Sequence, residues 1–275
     1  MRKVIIIGRN SNLTNQLSSK FLDCNILSSR EILSSSKILN ELKEQVNINI
    51  IFNNFQTAIN LNKFDNLESY ISNSIISTSR ILDFFNKNHI KINKIIYTSS
   101  SSVYGNNILC NEKDELKPMN LHASLKVANE KLIEKFCLDN NIDYTIARIF
   151  NMYGGDDNFS IISKIIQAYK DNNELTIVNN GNSIRDFIHI EDVVDIYLKI
   201  LELKNVNILN IGTGEGNSVK NILDYLKNNN INLKLKNINR SELKISTADT
   251  QYLNSLFCEI KFRQINDYLK KELNI

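Results

Sequence analysis

The chain has 275 residues, 42% of them hydrophobic, and a net charge of +3. That length and apolar content allow one large α/β domain or two modest ones, while the interspersed lysines and acids, free of any like-charge stripe, exclude a nucleic-acid binder driven by charge. No apolar run reaches the ~18 residues of a membrane span, and the opening MRKVIIIG is too short in its apolar part for a signal peptide, so a cytoplasmic protein is expected.

Val4 to Ile7 is a short continuous apolar run, which suits a strand buried on both faces of a parallel sheet. Gly8 ends it, and a helix is predicted from about Asn12 to Phe21. The second strand is predicted at Cys24 to Leu27, followed by Ser28, Ser29 and Arg30. A helical pattern covers Ser36 to Gln45, capped by serines. The short segment before it leaves little room for the usual third strand. Asn49 to Phe52 reads as another buried strand, ending in Asn53, Asn54 and Phe55, and a long helix follows from about Leu67 to Lys87. The apolar strand Ile95-Ile96-Tyr97 then runs into hydroxyls, Thr98 to Ser102. A helix beginning near Leu121 carries Lys126 and extends to about Leu138, before a strand at Tyr144 to Ile149. Further on come a helix at Ser160 to Asp171, a strand at Leu175 to Val178, a turn at Asn179 to Asn182, a strand and glycine turn at Ile208 to Gly216, and a last helix at Ile265 to Leu273. Cys24, Cys110, Cys137 and Cys258 are scattered without a C-x-x-C, so they read as reduced structural thiols and no metal site is expected.

Strands alternating with helices at this spacing give an α/β fold: a doubly wound parallel (Rossmann) sheet over residues 1–150, with a smaller C-terminal α/β substrate-binding part over 151–275. Residues 183–200 are expected to return to the first domain. Hydroxyls at the carboxyl end of a strand, facing a helix that presents a lysine, suit proton transfer beside a bound cofactor. In such folds an acid at the end of the second strand takes the ribose of NAD, whereas an arginine accommodates the 2′-phosphate of NADP. Leu27 to Ser29 carry no acid, and Arg30 and Arg9 are near, so NADP(H) is favoured over NAD(H).

Val103-Tyr104-Gly105 after the hydroxyl run, and a lysine at Lys126, resemble the active-site segment of the extended short-chain dehydrogenase/reductase family of nucleotide-sugar epimerases, dehydratases and reductases. There the pattern is Tyr-x-x-x-Lys; here His122 stands four residues before Lys126. The family's G-x-x-G-x-x-G keeps Gly8 but has Ser11 and Thr14 at its later places, and Asn54 and Phe55 replace small residues expected beneath the cofactor. Arg148 to Gly154 resembles L-R-x-x-N-x-Y-G, and Arg185-Asp186-Phe187-Ile188-His189 with Asp192 is very close to R-D-F-x-H-x-x-D. The resemblance implies Ser100, His122 and Lys126 as catalytic residues. It implies Gly8, Arg9, Ser11, Leu13, Ser28, Ser29, Arg30, Asn53, Lys126 and Phe150 as cofactor contacts, and Ser102, Asn151 and Arg185 as substrate contacts. Asp186, His189 and Asp192 are expected to cap and tether the next helix, and the glycines near Ile211 to form a structural turn rather than a phosphate loop. The partner implied is a nucleoside-diphosphate sugar, and a homodimer through the helices after Leu67 and around Lys126 is implied as well.

A phenol near ~10 must be pulled down by cations to act at neutral pH, whereas an imidazole near ~6.5 starts close to it. A neighbouring lysine pushes the imidazole toward its neutral form. Three roles stay open for His122: general acid/base with Ser100, an orienting group for Tyr104 or water, or a relic in a protein that binds without turnover. The activity expected is 4-keto reduction or 4-epimerisation of a nucleoside-diphosphate sugar; the alternatives are a nucleotide-sugar binding protein on the same fold and a nucleotide-sugar dehydratase.

Overall fold

The apolar runs of the amino-terminal half become strands of one sheet in the computed structural model, which describes residues 3–54, 66–257 and 260–275. Phe55 and Cys258 lie outside the described residues. In chain order the elements are β1 (Val4–Ile7), α1 (Asn12–Ser18), β2 (Cys24–Leu27), α2 (Ser29–Ser34), α3 (Ser36–Asn40), β3 (Ile48–Phe52), α4 (Leu67–Ile71), α5 (Ser77–Lys87), β4 (Ile92–Ser100), α6 (Leu121–Asn140) and β5 (Asp143–Ile149). They continue as β6 (Asn151–Tyr153), α7 (Ile161–Lys170), β7 (Glu174–Val178), β8 (Ile184–His189), α8 (Ile190–Ile200), β9 (Ile208–Ile211), β10 (Gly216–Ser218), α9 (Val219–Asn228), β11 (Lys234–Ile238), β12 (Ile245–Ser246), α10 (Gln251–Leu256) and α11 (Ile265–Leu273).

The main sheet has six strands in the order β2-β1-β3-β4-β5-β9, and β1 pairs in parallel with both β2 and β3, as β3 does with β4. Strands β1 and β3 are buried along their whole length, as the apolar run of β1 requires, and β3 buries Asn49 among its apolar residues. The predicted helix from Leu67 to Lys87 is interrupted by a π-turn at Ser72–Ile76. Just beyond it, the hydroxyls of Ser77, Thr78 and Ser79 donate to the carbonyls of Asn73, Ser74 and Ile75. Those bonds compete for the carbonyls of the helical ladder.

The chain divides into two units. The first comprises Met1–Val103, Leu116–Arg148 and Tyr197–Leu209; the second comprises Tyr104–Glu115, Ile149–Ile196 and Asn210–Ile275. Residues 183–196, expected to rejoin the first unit, belong to the second, and the returning segment is Tyr197–Leu209. The first core packs Ile5, Ile50, Phe52 and Ile95 of the sheet with Phe85 of α5 and Ile133 of α6. Lys94, buried in mid-strand, donates to Asp143 Oδ2 at 2.8 Å and to the Leu203 carbonyl at 2.6 Å, so it ties β4 to the start of β5 and to the returning segment. In the second unit β8 pairs with β6, β10 and β12, β7 pairs with β11, and Ile162, Ile165, Phe187, Leu226 and Leu269 form a separate core. Among the described residues no helix is long and apolar enough to cross a membrane, and no group of His, Cys, Asp and Glu is placed to hold a metal. Cys24, Cys110 and Cys137 are free thiols.

The chain has only eight glycines, and asparagine takes over part of their work. Of the twelve non-glycine residues at positive φ among those described, ten are Asn, including Asn10 after β1 and Asn141 at the end of α6. A short side chain that bonds locally makes asparagine the cheapest substitute in the left-handed region.

One buried ion pair fastens α6 to the sheet. Arg148 of β5 donates to Glu130 at 2.8 Å, and the two side chains are 3% and 2% exposed. Removing one partner strands the other charge in the core. Arg148→Met is expected to cost about 3–5 kcal/mol, and Arg148→Met with Glu130→Met to recover most of that loss. Denaturant midpoints of the two variants check it.

Candidate active site

The turn after β1 is shaped around Gly8. Its φ is 135°, and a Cβ there would lie 2.0 Å from the Asn53 carbonyl oxygen, so only glycine fits. The next residues compensate for missing glycines with side-chain hydrogen bonds. Asn53 Nδ2 donates to Ser11 Oγ at 3.1 Å and to Thr14 Oγ1 at 2.8 Å, and Thr14 Oγ1 donates to the Gly8 carbonyl at 2.7 Å. Leu13 is fully buried, so its side chain serves the core and only its backbone is left for a ligand. Asn53 Oδ1 and both amide atoms of Asn54 are buried without a partner among the described residues. Orphaned polar atoms of this kind are costly until a ligand or water meets them. Of the three atoms only the Asn54 Nδ2 is a donor, so what the turn offers a dinucleotide phosphate is that amide together with the Ser11 hydroxyl.

At the end of β2, Ser28 and Glu31 form a capping box: Ser28 Oγ accepts from the Glu31 N–H at 3.2 Å, and Glu31 accepts from the Ser28 N–H at 2.7 Å. Ser29 is the first residue of α2. Arg9 donates to both Glu31 oxygens, at 2.9 and 3.0 Å, and to the Ile26 carbonyl at 2.7 Å. Burial pulls the Glu31 pKa up, but the bonds from Ser28 and Arg9 outweigh it and hold the carboxyl below its usual range. Arg9, expected near a 2′-phosphate, has its guanidinium engaged by Glu31 in this structure. The S-x-x-E spacing of a capping box was the signal that would have found it. Arg30 remains exposed.

The end of β4 and the start of α6 bring together the proton-handling groups. Asn120 caps α6 by accepting from the Ala123 N–H at 2.9 Å, which sets His122 in the first turn and Lys126 one turn later. Residues four apart share a helix face. Lys126 is 4% exposed; its Nζ donates to the Thr98 carbonyl at 2.7 Å and lies 5.1 Å from the centre of the Tyr97 ring. One further turn along, Glu130 accepts from Ser99 Oγ and from Arg148. Ser100 Oγ accepts from the Ser102 N–H at 3.2 Å and from Ser102 Oγ at 3.0 Å, which leaves its own hydrogen to donate. Burial, opposed by Glu130, lowers the Lys126 pKa to about 7. Burial, reinforced by Lys126, lowers that of His122 to about 4. At neutral pH the imidazole is neutral and the lysine is poised to gain or lose its proton.

Phe150, Asn151 and Arg185 belong to the second unit. Phe150 is buried, Asn151 Nδ2 donates to the Asp186 carbonyl at 3.1 Å, and Arg185 donates to the Ile184 carbonyl at 2.8 Å and pairs with Glu242 at 3.4 Å. Asp186 does not cap the next helix. Its carboxylate accepts from the Thr213 N–H and hydroxyl and from the Gly214 and Ala248 N–H groups, at 2.7–3.1 Å, so it holds the glycine turn. His189 is the helix cap, accepting at Nδ1 from the Glu191 N–H at 3.2 Å, and Asp192 pairs with Arg263. The Tyr104 hydroxyl donates to Asn210 Oδ1 at 2.7 Å in a buried setting.

Residues 2–212 match the family described as "NAD dependent epimerase/dehydratase family", and the chain belongs to it. Among its relatives, dTDP-D-glucose 4,6-dehydratase of Dictyostelium discoideum is 28% identical over 235 residues, which are 77% of this chain and 52% of that protein. ADP-L-glycero-D-manno-heptose-6-epimerase of Brachyspira hyodysenteriae is 33% identical over 153 residues, 50% of this chain and 48% of that protein. The chain spans less than two-thirds of the length of the curated relatives it matches. The fold is shared with solved structures. The UDP-glucuronic acid 4-epimerase of Bacillus cereus, in complex with UDP-glucuronic acid and NAD, superposes with a TM-score of 0.83 at 23% identity, over 99% of this chain and 90% of that one. The UDP-glucose 4-epimerase of Thermotoga maritima gives 0.82 at 19% identity, over 98% and 99%.

The environment of His122 makes a direct prediction. Its folded pKa lies below the unfolded value, so its contribution to stability is present above about pH 6.5 and is lost as pH falls toward about 4. NMR of the ring proton should give a midpoint near 4, and His122→Asn should flatten the stability loss between those limits. A midpoint between 6 and 7 would contradict this environment.

Proposed function

We propose that this chain is an NAD(P)-dependent nucleotide-sugar oxidoreductase acting at a 4-hydroxyl/4-keto centre, as a 4-keto reductase or a 4-epimerase. The observation that carries the proposal is the buried Lys126, held by the Thr98 carbonyl one helical turn from a neutral His122. When bound, the dinucleotide supplies the hydride donor or acceptor. Ser100, whose hydroxyl hydrogen is left unspent by its bonds from Ser102, donates to the substrate oxygen. Lys126 holds the proton at neutral pH and His122 passes it to or from that oxygen. An imidazole lowered to about 4 does not keep the proton at neutral pH, so His122 only relays it between Lys126 and the substrate oxygen. Asn151 and Arg185 are the proposed contacts to the nucleotide portion, Arg185 as a charge-assisted donor to phosphate. Ser102 is proposed beside the sugar, and a homodimer is proposed through the helices after Leu67 and around Lys126, where Ile71 and Ile76 are exposed.

Either dinucleotide fits the proposal. The preference for NADP(H) loses Arg9 to Glu31 and rests on Arg30, exposed in the first turn of α2. Arg30→Ala is therefore expected to weaken NADPH binding several-fold and to leave NADH unchanged, as read by nucleotide fluorescence.

One observation favours a second reading, binding without turnover: an imidazole lowered to about 4 is a weak base where the family carries a phenol. The readings separate on activity. Consumption of reduced dinucleotide with a 4-keto-6-deoxy nucleotide sugar is expected in the wild type, with a rate that falls as pH rises through about 7, as Lys126 loses its proton. His122→Ala and Lys126→Met are each expected to lower it by about 10²-fold or more. Intact nucleotide binding with no turnover of any 4-keto substrate would favour the second reading. Loss of a sugar hydroxyl as water would point instead to a dehydratase.

A further inference from the structure

The turn after β1 keeps Gly8 but has Ser11 and Thr14 where the pattern calls for glycine, and it is Asn53, from the end of β3, that joins them. An asparagine amide nitrogen has two hydrogens, and both are used: one on Ser11 Oγ at 3.1 Å, one on Thr14 Oγ1 at 2.8 Å. Thr14 then spends its own hydrogen on the Gly8 carbonyl at 2.7 Å. Asn53 is also pressed against Gly8 through its backbone oxygen, and its N–H donates to the Ile7 carbonyl at 2.7 Å. One fully buried residue thus grips the turn by backbone and side chain together.

The consequence lies in the direction of one hydrogen. Ser11 Oγ accepts from Asn53, makes no capping bond to α1, and has no acceptor for its own hydrogen among the described residues. A hydroxyl whose acceptor side is taken from within presents its hydrogen outward. Asn53 Oδ1 is meanwhile buried without a partner among the described residues, as are both amide atoms of Asn54 beside it, so the same spot carries unmet polar groups.

We propose that Asn53 is a positioning residue for the dinucleotide: it fixes Ser11 as a hydrogen-bond donor to the pyrophosphate and, through Thr14, holds the Gly8 turn that glycines hold elsewhere in the family. The proposal rests on the reading that this unit binds a dinucleotide, and it differs from that reading in assigning the work to a side-chain clasp.

Fluorescence titration with NADH tests it on the full chain. Asn53→Ala and Ser11→Ala are each expected to raise Kd about tenfold. Asn53→Asp is expected to raise it further, because a carboxylate only accepts, so it turns the Ser11 hydrogen inward and adds a charge near the phosphates. In a Ser11→Gly, Thr14→Gly background, which restores the glycine spacing, Asn53→Ala is expected to change Kd less than twofold. A structural role alone would not produce that coupling. Ser11→Ala alters a side chain outside the core and keeps the test open if Asn53→Ala fails to fold. An unchanged Kd in Ser11→Ala, or an equal loss from Asn53→Ala in both backgrounds, overturns the clasp while leaving dinucleotide binding intact. A wild type that binds no NADH or NADPH overturns the reading beneath it.

Discussion

The first unit depends on how α6 is fastened to the sheet, and the fastening is a buried carboxylate. Glu130 draws a bond from Ser99 of β4 and two from Arg148 of β5, so one side chain joins three elements. Such a pair gains little over a well-packed apolar equivalent, but it admits one register and no other. A helix slipped by one residue would leave a carboxylate and a guanidinium unpaired in the core. Fixing Glu130 fixes Lys126 one turn earlier, against the Thr98 carbonyl, and His122 one turn before that. The functional helix is thus placed by groups that take no part in the proposed chemistry. The Glu130 carboxylate offsets only part of the burial cost at Lys126, and the lysine pKa is held near 7.

At the other end of β1 the same economy appears in a different form. A chain with eight glycines cannot supply one at each turn. Asparagine takes most of the left-handed positions, and at the turn after β1 hydroxyls and an amide do by hydrogen bonding what absent side chains do elsewhere. Gly8 survives because no substitute exists: the Asn53 carbonyl leaves no space for a Cβ.

Much of this was legible in the sequence. Short apolar-rich runs located β1, β2 and β3 to within a residue, and β1, buried on both faces, needed no alternation at all. The lysine-bearing helix and the hydroxyls before it were also placed correctly. What escaped were contacts between residues distant in the chain. Periodicity cannot show that Arg9 turns to Glu31 rather than outward, that Asp186 serves the glycine turn instead of the next helix, or that Asn53 reaches Ser11 and Thr14. The π-turn escaped for a local reason: the three consecutive hydroxyls that bond back to carbonyls beside it leave the apolar spacing of the helix unchanged.

In the proposed reaction the face of α6 bearing His122 and Lys126 manages the proton while hydride moves between dinucleotide and sugar. The most direct measurement follows an isotope: reduced dinucleotide deuterated at the transferable position, incubated with a 4-keto nucleotide sugar, and the recovered sugar read by NMR at C4. The expected result is deuterium at that carbon with the wild type and its near absence with Lys126→Met. Undeuterated sugar recovered from a wild type that binds both molecules would contradict it.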